Sequence, residues 1–191
     1  MRGEDMGKVE VIAGSMFSGK TEELIRRLIR AEIARQTVIV FKPKIDTRYS
    51  EHHIVSHDVS KLPCIAIDHA DEILPNVGEA TVIGVDEAQF FDDTIIDVAN
   101  QLAALGKRVI VAGCEMYSSG EPFGPMGGLM CVAEEVEKLH AVCMVCGEEA
   151  YISYRKARPQ NGNILIGYGD IYEARCRQCA ALGDAVHGAE D

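Results

Sequence analysis

No run of this 191-residue chain approaches the ~20 apolar residues that a membrane span needs, which excludes a transmembrane helix. The first residues, "MRGEDMGKVEV", are charged where a secretory signal would need an apolar core, so a cytoplasmic protein is expected. Positive charge is also scarce. Lys and Arg number 19 against 30 Asp and Glu, a formal charge of -11, and such a field repels nucleic acid and anionic membrane. Any anion must therefore be held by a local site. Internal repeats and low-complexity segments are absent too. What is there is ordinary: 47% hydrophobic residues, enough for one well-buried domain and a small appendage.

"VEVIAG", Val9 to Gly14, reads as a strand running into a loop, and from Thr21 the apolar residues Leu24, Ile25, Leu28, Ile29 and Ile33 recur at helical spacing. Arg26, Arg27 and Arg30 are placed on that helix's solvated side, or at an oligomer contact. Thr37 to Lys44, Val82 to Val85 and Val109 to Ala112 read as further strands, with Gly106 capping the helix before the last of them. Apolar strands that alternate with helices predict an α/β fold whose parallel sheet is covered on both faces. The character changes near Val142, where glycines, paired cysteines and short alternating runs predict β-hairpins too few to hold a core alone. The expected division is a tail over residues 1–8, a nucleotide-binding domain over 9–140, a second domain over 141–181 and a tail over 182–191.

Between the first strand and helix lies "GSMFSGKT", the phosphate-binding pattern G-x-x-x-x-G-K-[ST] in the strand-loop-helix setting it requires. Gly14, Ser15, Met16, Phe17, Ser18 and Gly19 can turn backbone N–H groups toward a polyphosphate such as that of ATP. Lys20 can reach its outer phosphates and Thr21 can hold Mg2+. "TVIGVDEAQFF" then ends a buried strand on two adjacent acids. Taken alone that is consistent with a solvated turn. Beside a P-loop, Asp86 stands where the second Mg2+ ligand belongs. Strand alternation would then aim Glu87 elsewhere, toward an acceptor.

Four of seven cysteines form two C-x-x-C pairs, Cys143 with Cys146 and Cys176 with Cys179. In a reducing compartment that spacing points to one structural Zn2+ closing the loop between the pairs, with a redox dithiol as the alternative. The region from Ala141 onward has five basic residues against seven acidic ones, so a nucleic-acid-binding ribbon is not expected. Cys64, Cys114 and Cys131 read as buried small residues, and His52, His53, His57 and Asp58 as solvated loop residues rather than a metal cluster.

Together these motifs, with "DTRYS", "SHD", "GEPFGPM", "AVCMVCGEEA" and "YEARCRQC", resemble the thymidine kinases of bacteria and of the vertebrate cytosol, over about Val9 to Cys179. The resemblance implies a P-loop NTPase-like (RecA-like) domain with a small zinc-ribbon or lasso domain. It also implies transfer of the ATP γ-phosphate to the 5'-hydroxyl of thymidine, with deoxyuridine as a further candidate acceptor. By the same resemblance Glu87 is the general base, and Asp46 and Arg48 lie near the phosphates and the acceptor. Met16, Phe90, Phe123, Ser153, Arg155, Leu165, Gly167 and Tyr172 would form the base pocket. It further implies a homotetramer inhibited by dTTP. The chain departs from that pattern at Ser118, where relatives carry an aromatic, with Tyr117 just before it. It also has Glu115 for aspartate and Cys114 for leucine. The rival expectation is a P-loop ATPase switch whose zinc ribbon grips a macromolecular partner, with Glu87 orienting water.

Overall fold

A computed structural model describes residues 7–44, 53–55, 61–156 and 171–188. In chain order its first half comprises β1 (Lys8–Gly14), α1 (Lys20–Ile33), β2 (Val38–Pro43), β3 (His53–Val55), β4 (Lys61–Pro63), β5 (Ile65–Ile67), α2 (Ile73–Asn76) and β6 (Val82–Val85). α3 (Thr94–Ala104), β7 (Arg108–Gly113), α4 (Met126–Val132), β8 (Glu135–Leu139), β9 (Ala141–Val142), β10 (Glu149–Ala150), β11 (Ile152–Arg155), β12 (Tyr172–Arg175) and α5 (Arg177–Gly188) follow. α5 thus continues past residue 181, where the second domain was expected to end.

Six strands make one sheet in the order β5-β2-β6-β7-β1-β8, every neighbouring pair parallel. Its strands read as apolar runs because both faces of the sheet are buried. Val9, Val11 and Ala13 of β1 and Val109 and Val111 of β7 pack with Ile95, Val98 and Leu102 of α3 and Met126 and Leu129 of α4. Ile12, Val40, Val82, Ile110 and Ala112 face the other way, onto Leu24, Ile25, Leu28 and Ala31 of α1. Gly84 lets that helix approach, because a Cβ there would stand 2.9 Å from Leu28 Cδ1. Gly106, at φ 77°, stops the chain after α3 as expected of a C-terminal glycine.

The α1 face also buries charge, which corrects the reading of Arg27 as solvated. Arg27 is 7% exposed, and its guanidinium meets Glu10 at 2.7 Å, Glu23 at 2.8 Å and also Glu137. Arg26 is exposed, on Glu23 at 2.6 Å. Glu10, 1% exposed, further accepts from Arg108 at 2.6 Å and Lys8 at 2.7 Å. Burial pushes the Glu10 carboxyl up, but Arg108, Lys8 and Arg27 together hold it at about 2. A folded-state value below the unfolded one stabilises the fold above pH ~4.5, and that contribution is lost as pH falls toward ~2. Glu10→Gln takes from Arg108 its carboxylate partner among the described residues, leaves Arg27 on Glu23 and Glu137, and should cost roughly 3 kcal/mol at neutral pH. Thermal melts across pH 2–6 should show a shallower acid decline in the variant than in the wild type; parallel profiles would remove Glu10 as the acid-sensitive group.

Beyond the sheet, β9 pairs with β10 and β11 with β12, both antiparallel. Their shared cluster is small: Ala141, Cys143, Ala150, Ala174 and Cys179. Two cysteines within it mean that apolar burial alone does not hold this region. Of the three remaining cysteines, Cys64 and Cys114 are buried as expected, whereas Cys131 on α4 is exposed. Among the described residues no helix is long and apolar enough to cross a membrane.

Candidate active site and zinc centre

A parallel sheet brings the carboxyl ends of its strands to one edge, where ligands of such folds bind. β6, β7 and β1 are adjacent in the sheet, so the loops after them converge. After β1 the chain turns through Gly14, where a Cβ would lie 2.6 Å from the Leu139 carbonyl oxygen. Phe17 and Gly19 take positive φ of 65° and 85°, the reversals that bring the loop round to α1. Ser18 Oγ donates to the Ser15 carbonyl at 2.8 Å, and so does Lys20 Nζ at 2.8 Å. The lysine therefore lies along the loop. Burial pushes the Lys20 ammonium down, but Cys114, Glu87 and Asp86 beside it more than reverse this and its pKa is raised. It is a fixed cation at the loop's mouth.

Thr21 Oγ1 donates to Asp86 Oδ1 and Oδ2 at 3.3 and 3.2 Å. Cis ligands of an octahedral Mg2+ with ~2.1 Å bonds stand about 3 Å apart, so the hydroxyl and carboxylate fit two such corners. Asp86 is 6% exposed, and its backbone N–H donates to Phe41 O at 3.0 Å, which extends the β2–β6 ladder by one residue.

Glu87 parts from Asp86 by a route other than strand alternation. Strand alternation does not turn it away from Asp86: the strand ends at Val85, and Glu87 takes a left-handed conformation at φ 52°, ψ 39°. For a non-glycine residue this costs on the order of 1–2 kcal/mol. Its carboxylate accepts from Gln89 Nε2, while its N–H donates to Asp86 Oδ1 at 3.0 Å. The two acids thus hold different partners. Gln89, 4% exposed, was absent from the expected site. The only sequence signal for it was an amide inside an apolar "AQFF" run.

Around this edge stand three aromatics. Phe90 meets Phe123 edge-on at 5.6 Å between centroids, and Tyr117 stacks on Phe123 at 3.9 Å with 25° between planes. Ser118, beside Tyr117, is half-buried. Ser153 Oγ of β11 accepts from Met16 N–H at 2.9 Å, and Ser15 Oγ approaches Ala150 O of β10 at 3.5 Å, so this segment is bolted onto the phosphate loop itself. Buried Tyr172 pairs with Arg155 across the hairpin, and Arg155 Nε and Nη2 are buried without a hydrogen-bond partner among the described residues. Asp46, Arg48, Leu165, Gly167, His52, His57 and Asp58 lie outside the described residues; of His53 only the strand position in β3 is described.

The four paired cysteines meet as expected. Their sulfurs all lie within 4.8 Å of one another, with Cys146 and Cys176 at 3.7 Å. Sulfurs bound at ~2.3 Å to a tetrahedral Zn2+ stand ~3.8 Å apart, so the set fits that ion and leaves no open position. Gly147, at φ 81°, makes the knuckle, donating its N–H to Cys143 O at 2.9 Å. Burial pushes the Cys143 thiol up, yet backbone N–H groups of Cys176, Cys146 and Val145 pull it down to about 6, toward the thiolate that a zinc ligand requires.

The thymidine kinase family model matches residues 7–180, nearly the whole chain. The chain belongs to the thymidine kinase family. A thymidine kinase from Rhodothermus sp. (strain ITI 518) is 55% identical over 177 residues, covering 93% of this chain and 83% of its own. One from Bacteroides fragilis (strain YCH46) is 53% identical over 173 residues, covering 91% and 86% respectively. One from Porphyromonas gingivalis is 49% identical over 173 residues, covering 91% and 84%. The match includes the P-loop, the acid pair and both cysteine pairs, so the family and the geometry concern the same residues.

Proposed function

We propose that this protein transfers the γ-phosphate of ATP to the 5'-hydroxyl of thymidine, giving dTMP and ADP. The observation that carries the reading is the split of the acid pair: Asp86 faces Thr21 of the phosphate loop, and Glu87 is turned to a different partner. Residues 14–21 cradle the donor phosphates, and Lys20 answers their charge. Thr21 and Asp86 would hold Mg2+, which would supply neutralising charge to the donor phosphates. Glu87 accepts the proton of the attacking 5'-hydroxyl as its oxygen bonds to phosphorus and the bond to ADP breaks. Arg48, with Asp46, would stabilise charge on the group in transfer.

The thymine ring would sit against Phe90, Phe123 and Met16, with Ser153, Arg155, Leu165, Gly167 and Tyr172 of the lasso closing over it. Tyr117, which packs on Phe123, would supply an aromatic in place of the one that relatives carry at Ser118. The bolt from Ser153 to the P-loop supports a lasso whose placement depends on zinc. Domains over 9–140 and 141–181, a homotetramer in the cytoplasm and inhibition by dTTP at the acceptor site complete the reading; their support is the family. The test is purified protein with ATP-Mg2+ and a panel of nucleosides. Thymidine should be phosphorylated fastest, deoxyuridine more slowly, and purine nucleosides not at all. ATP hydrolysis with no phosphorylated nucleoside would instead favour the partner-binding ATPase.

A further inference from the structure

Gln89 is held at both ends of its amide. Its Oε1 accepts the Cys114 backbone N–H at 3.0 Å, just past the end of β7. A backbone N–H can only donate, so the amide oxygen must face it, and the amide nitrogen is left to face the Glu87 carboxylate. The orientation of the amide is thus decided by chemistry.

Two glycines leave room for this residue, Gly113 beside its side chain and Met126, and Gly124 beside its backbone. A Cβ at Gly113 would stand 2.8 Å from Gln89 Oε1, and one at Gly124 would stand 2.4 Å from the Gln89 carbonyl oxygen. Neither position has room for a side chain while Gln89 stays where it is. Gln89 also lies in the short 3-10 turn Ala88–Phe90 that Glu87 opens, closed by Phe90 N–H on Glu87 O at 3.1 Å. Glu87 therefore stands in a left-handed conformation that a glutamate avoids, and its carboxylate is tied through one amide to the end of β7.

We infer that Gln89 is a positioning residue: it fixes where the Glu87 carboxylate points by spanning from Glu87 to the Cys114 N–H. The inference rests on the reading of Glu87 as general base. It predicts a defect in the chemical step and none in nucleotide binding, because Gln89 makes no contact with the phosphate loop among its described hydrogen bonds.

Gln89→Met keeps the length and loses both hydrogen bonds; it should lower kcat about 10–100-fold, the scale of a misplaced reacting group, with KM for ATP within about twofold. Gln89→Glu keeps the bond from Cys114 N–H and sets one carboxylate against another, so it too should lower kcat with KM for ATP unchanged. It serves as the second variant if the first does not fold. A cycle with Glu87→Gln separates the two claims. If Gln89 acts through Glu87, adding Gln89→Met to Glu87→Gln should cost less than about threefold more. A folded Gln89 variant with wild-type kcat, or an equal loss in both backgrounds, overturns the inference. Wild-type kcat in Glu87→Gln alone would instead overturn the base assignment.

Discussion

Glu87→Gln should lower kcat for thymidine phosphorylation by about 10²–10⁴, the usual worth of a positioned base, while ATP binding stays near wild type. The amide is isosteric, so the left-handed turn and the contact to Gln89 have a partner of the same shape, although an amide there can meet Gln89 Nε2 only through its oxygen. What it cannot do is take a proton from the 5'-hydroxyl. The expected pattern is loss in kcat and kcat/KM together, the signature of an interaction made in the transition state. Turnover within about threefold of the wild type would show that the proton leaves by another route.

Loss of zinc is expected to have the second large effect, and its direction follows from the packing. The region of β9 to β12 shares a buried cluster of only five residues, two of them cysteines of the four-sulfur set. Structural Zn2+ in small modules contributes about 10–16 kcal/mol of apparent binding energy that is also folding energy. In Cys176→Ser with Cys179→Ser, one zinc per chain should disappear by elemental analysis, and KM for thymidine should rise at least about tenfold. The six-stranded sheet has its own core on both faces, so ATP affinity should fall much less. Some loss there is expected, since Met16 N–H would lose Ser153 Oγ. Equal loss of both substrates would mean that the ribbon supports the whole fold rather than the nucleoside side.

Much of this architecture was legible in the chain. Apolar runs such as Val82–Val85 and Arg108–Gly113 are local signals, and a strand buried on both faces has no polar interruption to misplace. The P-loop and the cysteine pairs carry their geometry in their spacing. What stayed hidden depends on contacts between distant residues. Arg27 sits at a position the helical period leaves polar, and its burial follows from Glu10, 17 residues away, and Glu137, 110 away. The expected divergence of Asp86 and Glu87 is found, but through a reversal of backbone hand that no propensity of glutamate would predict. Gln89 reads as one polar residue in an apolar run until β7 supplies the N–H that orients it. Cys131 looks like any small core residue, and only the packing of α4 shows that it faces outward.

The claim that two neighbouring carboxylates do separate work is tested most directly by titrating ATP-Mg2+ into Glu87→Gln and Asp86→Asn side by side in a calorimeter. Asp86 faces Thr21, so Asp86→Asn should weaken binding on the order of tenfold or more, the scale seen when a metal site loses an anchoring group. Glu87→Gln should bind as the wild type does. Equal affinities in the two variants, or weaker binding in Glu87→Gln, would contradict the division of labour drawn from their geometry.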